Sequence, residues 1–153
     1  MIKIMFVCHG NICRSPMAEF IFKDLIKKQD LERDFFVQSS ATSTEEIWNG
    51  IGNPVYPPAK AELIKHGICC ENKRAVQLTR ADYDKYDLFV CMDANNIINA
   101  QRIFGTDKEN KLHKLLEYCG EKRDVSDPWY TRSFDIAYKD ILKGCKALLE
   151  DLK

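Results

Sequence analysis

Alternation between short apolar runs and segments of helical periodicity constrains the fold of this chain more than any other feature. The predicted strands are four apolar runs, at 2–7, 35–38, 88–92 and 112–116. Apolar residues at helical spacing lie between and after them, at 16–26, 57–66, 93–104 and 134–152. This alternation favours a parallel sheet, because parallel neighbours need crossover connections. The sequence therefore predicts an α/β fold with a four-stranded parallel sheet flanked by helices on both faces.

Residues that start and end helices agree with these boundaries. Pro16 suits a first helical turn, and Gly67 and Gly105 stand where helices should end. The polar segment 39–54 shows no regular periodicity and is predicted to be a long functional loop.

Composition narrows the class of protein. A chain of 153 residues, 45% of them hydrophobic, can bury a core without disulfides or metals, and we expect one domain over 1–153. Lys plus Arg number 23 and Asp plus Glu number 23, so the formal net charge is zero. A neutral chain gives no reason to expect nucleic acid or a membrane as partner. A charged substrate would have to be attracted locally.

Cysteine usage indicates the compartment. Seven cysteines, an odd number without the dense spacing of a secreted scaffold, are expected to be mostly free thiols in the cytoplasm. Cys69 and Cys70 are adjacent and no Cys-x-x-Cys pair occurs, so we expect no metal site and no cofactor. The chain enters a strand pattern at once, which fits neither a signal peptide nor a transmembrane helix.

The connection between the first strand and the first helix carries the strongest chemical signal. Cys8 ends the strand, and Arg14 follows six residues later. Backbone amides of such a loop can form an anion cradle, to which the helix amino terminus adds positive potential. That potential favours a thiolate at Cys8, and a guanidinium can hold two phosphoryl oxygens at once. We predict a phosphate-binding loop after the first strand, with Cys8 as nucleophile and these substrate-binding residues: His9, Gly10, Asn11, Ile12, Cys13 and Ser15.

The spacing from cysteine to arginine is weak evidence by itself, because chance often produces it in a chain with seven cysteines. The Ser15 that follows and the strand and helix on either side make the pattern more specific. A buried structural cysteine beside a surface arginine is the alternative. A Walker loop is excluded, since its Gly-Lys-Ser/Thr ending is missing.

Thiolate attack on a phosphate monoester requires an acid that protonates the leaving oxygen. The candidate is Asp127, which precedes Pro128 ahead of the last helix. An Asp-Pro pair alone is usually a turn initiator, so only the loop at Cys8 favours the catalytic role. Trp48, Trp129 and Tyr130 are predicted to form apolar walls for an aromatic ring, which fits phosphotyrosine better than phosphoserine. Core packing is their alternative role.

These motifs together resemble the low-molecular-weight protein tyrosine phosphatases, nearly end to end. The family's signature loop is matched by 7–16, and further stretches recur in the same order: Trp48-Asn49, His66-Gly67-Ile68, Met92-Asp93 with Asn96, and Asp127-Pro128-Trp129-Tyr130. The resemblance implies that Cys8 is the nucleophile, Arg14 binds phosphate, and Asp127 is the acid and then the base that hydrolyses a phosphocysteine. It also implies that Asn11 and Ser15 organise the loop.

Finer features of the resemblance concern regulation and substrate choice. Cys13 matches a cysteine that, in the family, can form a reversible disulfide with the nucleophile, and tyrosines at the position of Tyr130 are phosphorylated in some members. Ile12 stands where arginine phosphatases tend to carry threonine, which favours phosphotyrosine over phosphoarginine. Tyr56 replaces a common aspartate, and Thr131-Arg132 replaces a common glycine. The resemblance therefore does not specify the shape of the rim of the substrate pocket. The expected substrates are tyrosine-phosphorylated proteins or small aryl phosphates.

Three other functions are compatible with a phosphate-binding loop of this kind. Arsenate reductases share the loop but add a pair of relay cysteines; Cys91 lies in the expected region without a nearby partner. A phosphate-binding module without turnover would need neither Cys8 nor Asp127. A sugar-phosphotransfer subunit also uses a loop cysteine, but Arg14 and Asp127 favour hydrolysis.

Overall fold

A parallel sheet lies at the centre of the computed structural model, which describes residues Met1–Lys153. The strands are β1 (Ile2–Cys8), β2 (Phe35–Ala41), β3 (Ile47–Trp48), β4 (Ile51–Gly52), β5 (Leu88–Cys91) and β6 (Leu112–Lys114). The helices are α1 (Arg14–Lys28), α2 (Pro57–Lys65), α3 (Asp82–Lys85), α4 (Ala94–Phe104), α5 (Pro128–Thr131) and α6 (Phe134–Leu152). The main sheet has four strands in the order β2-β1-β5-β6, and every neighbouring pair is parallel.

Alternate residues of β1 pack into two separate cores. Ile4 and Phe6 belong to the larger core, which includes apolar residues of α1 and α6. Met5 and Val7 belong to the smaller core on the opposite face, with Phe104 of α4. Successive side chains of a strand point to opposite faces, so helices cover both faces of the sheet, which confirms the predicted α/β architecture.

The residue before α4 shows how local sequence sets an element boundary. The carboxylate of Asp93 accepts a hydrogen bond from Asn96 N at 2.8 Å, and the Asn96 side chain accepts one from Asp93 N at 3.0 Å. This reciprocal capping fixes the start of α4 directly after β5. It confirms the predicted helix from Asp93 to Phe104.

The segment 39–54 is more regular than predicted. Its first residues extend β2 to Ala41, and β3 and β4 form an antiparallel hairpin whose turn residues, Asn49 and Gly50, have φ of 50° and 78°. A Cβ on Gly52 would lie 1.9 Å from the Ala75 carbonyl oxygen, so only glycine lets the hairpin pass this backbone.

The fourth strand of the main sheet also differs from prediction. It ends at Lys114, and the remaining residues 115–116 start a 3₁₀ turn, because Glu117 accepts a hydrogen bond from the Lys114 N–H. None of the helices combines the length and the apolar character needed to cross a membrane.

Candidate active site

The sulfur of Cys8 lies at the centre of the loop between β1 and α1. The N–H groups of Asn11 and Ser15 point at Sγ from 3.3 and 3.4 Å, and Ser15 Oγ lies 3.0 Å from it. Asn11 adopts φ of +58°, a left-handed conformation that asparagine tolerates and that turns the chain around the sulfur. These polar contacts, together with the amino terminus of α1, stabilise negative charge on Sγ.

Several backbone donors of the same loop have no acceptor in the protein. The N–H groups of Gly10, Ile12, Cys13 and Arg14 donate to no protein atom. All four residues line the cavity in front of Cys8. A loop with free N–H groups at a helix amino terminus is suited to an oxyanion.

Asn11 ties the loop to the rest of the sheet. Its side-chain nitrogen donates to Ser15 Oγ at 2.7 Å and to Ser39 Oγ at 2.9 Å, and its Oδ1 accepts from Val76 N at 3.0 Å. Asn11 and Ser15 are both buried. The Asn11 side chain therefore links Ser15 Oγ, which contacts the sulfur, to Ser39 of β2 and to the backbone at Val76.

A buried pair of charges extends this network away from the loop. Ser39 Oγ donates to Glu19 Oε1 at 2.6 Å, and Lys73 Nζ lies 3.5 Å from the same oxygen and donates to the Ser39 carbonyl at 2.9 Å. Lys23 Nζ lies 2.5 Å from the other carboxylate oxygen. Burial lowers the pKa of Lys73, against the opposing effect of Glu19. Four hydrogen-bonded contacts thus connect Glu19 to the Cys8 sulfur.

Arg14 is buried and its guanidinium is held from two sides. Nη1 donates to the Val125 carbonyl at 2.8 Å, and Nη2 lies 2.9 Å from Asp93 Oδ2 and 3.6 Å from Asp127 Oδ2. Burial would lower the pKa of Arg14, but the charges of Cys8, Asp93 and Asp127 outweigh it and the net shift is upward. The guanidinium is therefore a fixed cation between the loop and the segment that carries Asp127.

Asp127 caps the short helix α5. Its Oδ1 accepts a hydrogen bond from Trp129 N at 3.0 Å, while Oδ2 faces Arg14. The Asp127 side chain retains 30% of its exposure. A carboxyl group placed in this way can reach an atom in the cavity and exchange protons with water.

A cavity of about 220 Å³ brings most of the predicted site residues together. Its lining comprises Cys8, His9, Gly10, Asn11, Ile12, Cys13, Arg14, Glu45, Glu46, Asp127, Trp129 and Tyr130. Ser15 lies behind Cys8, so it contacts the sulfur and not the cavity.

Trp48 was predicted to form a third aromatic wall beside Trp129 and Tyr130. Its side chain is 71% exposed and does not line the cavity. In the hairpin it pairs with Ile51, which is also exposed. Antiparallel pairing places both side chains on the same face of the hairpin, and that face is exposed to solvent.

The site also contains residues that sequence reasoning missed. Tyr56 packs against Trp129 with ring centroids 4.9 Å apart. Glu45 and Glu46 line the cavity, and Glu45 lies 3.0 Å from His9 Nε2. No sequence pattern singled out Glu45 and Glu46, because two adjacent acidic residues are common in polar segments. Tyr56 could have been identified, because it replaces an aspartate that is common in the family.

The other cysteines bear on the redox alternatives. Burial, and next the charge of Cys8, raise the pKa of Cys13 to about 12, so it is a thiol at neutral pH. Cys91 is fully buried in the smaller core, and burial raises its pKa well above the ordinary value. A buried Cys91 is unsuited to accept a disulfide from Cys8, which gives the arsenate reductase alternative no structural support. No group of three or more His, Cys, Asp or Glu side chains is arranged to hold a metal ion.

Comparison with known proteins gives matches over nearly the whole chain. Residues 3–153 match the profile of the family described as low molecular weight phosphotyrosine protein phosphatase. The chain is 37% identical to the low molecular weight protein-tyrosine-phosphatase YfkJ of Bacillus subtilis, over 100% of this chain and 97% of the relative. It is 36% identical to the low molecular weight phosphotyrosine protein phosphatase of Gallus gallus, over 97% and 94% of the two chains.

Solved structures give the same picture. The crystal structure of YfkJ from Bacillus subtilis superposes with a TM-score of 0.93 at 36% identity, over 99% of this chain and 94% of that chain. The crystal structure of a Drosophila arginine phosphatase superposes with a TM-score of 0.88 at 28% identity, over 99% and 98%.

Proposed function

Since the chain belongs to the low molecular weight phosphotyrosine protein phosphatase family and is a protein-tyrosine phosphatase, a hydrolase, we propose that it acts through a phosphocysteine on Cys8. Arg14 holds the phosphoryl oxygens, and Asp127 is the acid and the base. The observation that carries the proposal is the convergence of these three side chains on one cavity, with the N–H groups of the loop free beside them.

In the first step, the Cys8 thiolate attacks phosphorus while the bond from phosphorus to the phenolic oxygen breaks. The carboxyl group of Asp127 gives its proton to that oxygen, so tyrosine leaves as a neutral phenol. Arg14 and the loop N–H groups stabilise the charge on the transferring phosphoryl group.

In the second step, water attacks the phosphorus of the phosphocysteine and the sulfur leaves as a thiolate. The Asp127 carboxylate takes a proton from the water, and inorganic phosphate departs. Ser15 Oγ, at 3.0 Å from Sγ, stabilises the departing sulfur by a hydrogen bond.

The substrate class follows from the walls of the cavity. The proposed substrates are tyrosine-phosphorylated proteins and small aryl phosphates, whose ring lies against Trp129 and Tyr130. Ile12 lines the cavity and offers no hydrogen bond to a guanidinium, which favours phosphotyrosine over phosphoarginine. The single domain over 1–153 and the cytoplasmic location remain predictions from the sequence.

Substitution of Cys8 by serine tests the proposal. Cys8→Ser is expected to abolish hydrolysis of a phosphotyrosine peptide, because a serine hydroxyl is a far weaker nucleophile than a thiolate. Binding of inorganic phosphate, measured by calorimetry, should survive because the loop and Arg14 remain. Substantial turnover by Cys8→Ser would refute the role of Cys8.

A further inference from the structure

We propose that Tyr56 and Arg132 form a latch that positions the acid Asp127 over the phosphate loop, and this rests on the proposed function. The latch consists of the hydrogen bond from Arg132 Nη1 to Tyr56 Oη, at 3.1 Å, and of the packing of Tyr56 against Trp129. In the family resemblance described above, Tyr56 stands in place of a common aspartate and Thr131-Arg132 in place of a common glycine.

The segment that carries Asp127 has few ties to the rest of the protein. Within 126–132, the backbone and side-chain hydrogen bonds stay local, apart from the one between Arg132 and Tyr56. The only other polar tie is the longer contact of 3.6 Å between Asp127 and Arg14. Pro128 is buried, but the Trp129 and Tyr130 side chains are 44% and 82% exposed, so burial holds the end of this segment only weakly.

Tyr56 itself is firmly attached to the phosphate loop. Its N–H donates to the carbonyl of Ile12 at 2.8 Å, and its carbonyl accepts from Lys60 N at 3.0 Å in the first turn of α2. Its ring lies between Trp129 and Phe134, with centroid distances of 4.9 and 6.0 Å. Tyr56 therefore connects the loop of the nucleophile with the segment of the acid.

Arg132 completes the connection from the other side. It ends α5 in a left-handed conformation, with φ of 60°, and its guanidinium carbon lies 5.7 Å from the centre of the Trp129 ring. A cation over the face of an indole ring is attracted to the ring electrostatically. Arg132 thus contacts Tyr56 and Trp129 together, which fixes the backbone that follows Asp127.

The consequence concerns protonation of the leaving oxygen. Proton transfer needs the acid within hydrogen-bond reach of that oxygen, and a displacement of about 1 Å can cost about 10²-fold in rate. Poor leaving groups depend on this proton, whereas activated ones leave without it. Loss of the latch should therefore slow the release of poor leaving groups selectively.

The test compares kcat/KM, which reports the first step, for phenyl phosphate, a poor leaving group, and for p-nitrophenyl phosphate, an activated one. Tyr56→Ala should lower the first about 10-fold more than the second. Tyr56→Phe keeps the ring and should give a selective loss of about fivefold, the equivalent of one hydrogen bond. Arg132→Asn suits the left-handed conformation and removes the guanidinium with its contacts to Tyr56 and Trp129, so its selective loss should be at least that of Tyr56→Phe. Equal losses on both substrates in all three variants would overturn the latch.

Controls separate the latch from general stability and from the proposed function. Tyr83→Phe removes another tyrosine hydroxyl contact, with Asp107 at 2.5 Å and far from the cavity, and should leave the ratio of the two rates unchanged. Asp127→Ala should lower kcat/KM for phenyl phosphate selectively, and Tyr56→Phe added to it should change the ratio of the two kcat/KM values no further. If Asp127→Ala shows no selectivity, the proposed function fails. If it does and the latch variants do not, only the latch fails.

Discussion

The carboxylate of Asp93 lies 2.9 Å from Arg14 Nη2, so the residue that caps α4 also holds the phosphate-binding guanidinium. Strand β5 ends next to β1, and the start of α4 therefore falls beside the phosphate loop. Asp93 thus has a structural and a positioning role in one side chain.

Two substitutions of Asp93 should separate these roles. Asp93→Ala removes the cap and the ion pair: loss of the cap alone should lower the free energy of unfolding by about 1 kcal/mol, and loss of the ion pair should lower kcat/KM about 10-fold. Asp93→Asn keeps a capping oxygen and should retain most of the stability while still lowering kcat/KM. Denaturant titration and steady-state kinetics check both. If Asp93→Asn has normal kcat/KM, the charge of Asp93 does not position Arg14.

Substitution of Ser15 should affect the second chemical step. Ser15→Ala removes the hydroxyl 3.0 Å from Sγ, so the sulfur becomes a poorer leaving group when water attacks the phosphocysteine. With p-nitrophenyl phosphate, rapid mixing should show a burst of one nitrophenol per enzyme followed by a slower steady rate. A steady rate that is slow without a burst would place the loss in the first step instead.

The two loop cysteines should react differently with alkylating reagents. Because burial and the Cys8 charge raise the pKa of Cys13 to about 12, Cys13 remains a thiol from acid pH to well above neutrality. Iodoacetate at neutral pH should modify Cys8 first, and inorganic phosphate should protect it. Peptide mapping that finds Cys13 modified first would contradict this assignment.

Peroxide treatment tests the disulfide that the family resemblance implies. Oxidised Cys8 should form a disulfide with Cys13 that thiols reverse, so that activity returns. In Cys13→Ser the same treatment should leave overoxidised Cys8 and no recovery. Overoxidised Cys8 in the unsubstituted protein would exclude protection by Cys13.

The buried Glu19 should support stability as well as the loop. Glu19→Gln leaves Lys73 a buried cation without a facing carboxylate, at a cost of about 3–5 kcal/mol in the free energy of unfolding. Asp24→Asn is the matched control, since it removes a pair with the exposed Lys28 on the same helix and should have little effect. A loss in Glu19→Gln no greater than in the control would show that the pair is not stabilising.

The same pair predicts how stability varies with alkaline pH. The pKa of Lys73 is lowered from the ordinary value of 10.5, so between the lowered pKa and 10.5 the unfolded chain binds more protons. The contribution of Lys73 to stability therefore rises with pH in that window. Glu19→Gln should lower the pKa of Lys73 further, so the pH range in which stability rises should extend closer to neutral pH. Denaturant titration at several pH values can measure this change.

Much of the fold could be predicted because local signals and periodicity agree. The α6 helix, 134–152, has the predicted boundaries, and the alternation in β1 explains both cores. The hairpin at 47–52 was missed because its strands are two residues long, too short for any periodic pattern.

The centre of the site could be predicted because Cys8 to Ser15 is contiguous in the sequence. The supporting contacts join residues far apart in the chain, such as Arg14 with Asp93 and Tyr56 with Arg132. No local pattern specifies such pairs. Trp48 was predicted to be a wall from its residue type, but the geometry of the hairpin decides its direction.

Trapping of the intermediate tests the central claim most directly. Asp127→Ala, mixed with p-nitrophenyl phosphate and quenched in acid within the first turnover, should carry one phosphoryl group, because loss of the base slows hydrolysis of the intermediate. Peptide mass spectrometry should place that group on Cys8. A phosphoryl group on another residue, or turnover in which none is ever bound to the protein, would contradict the account.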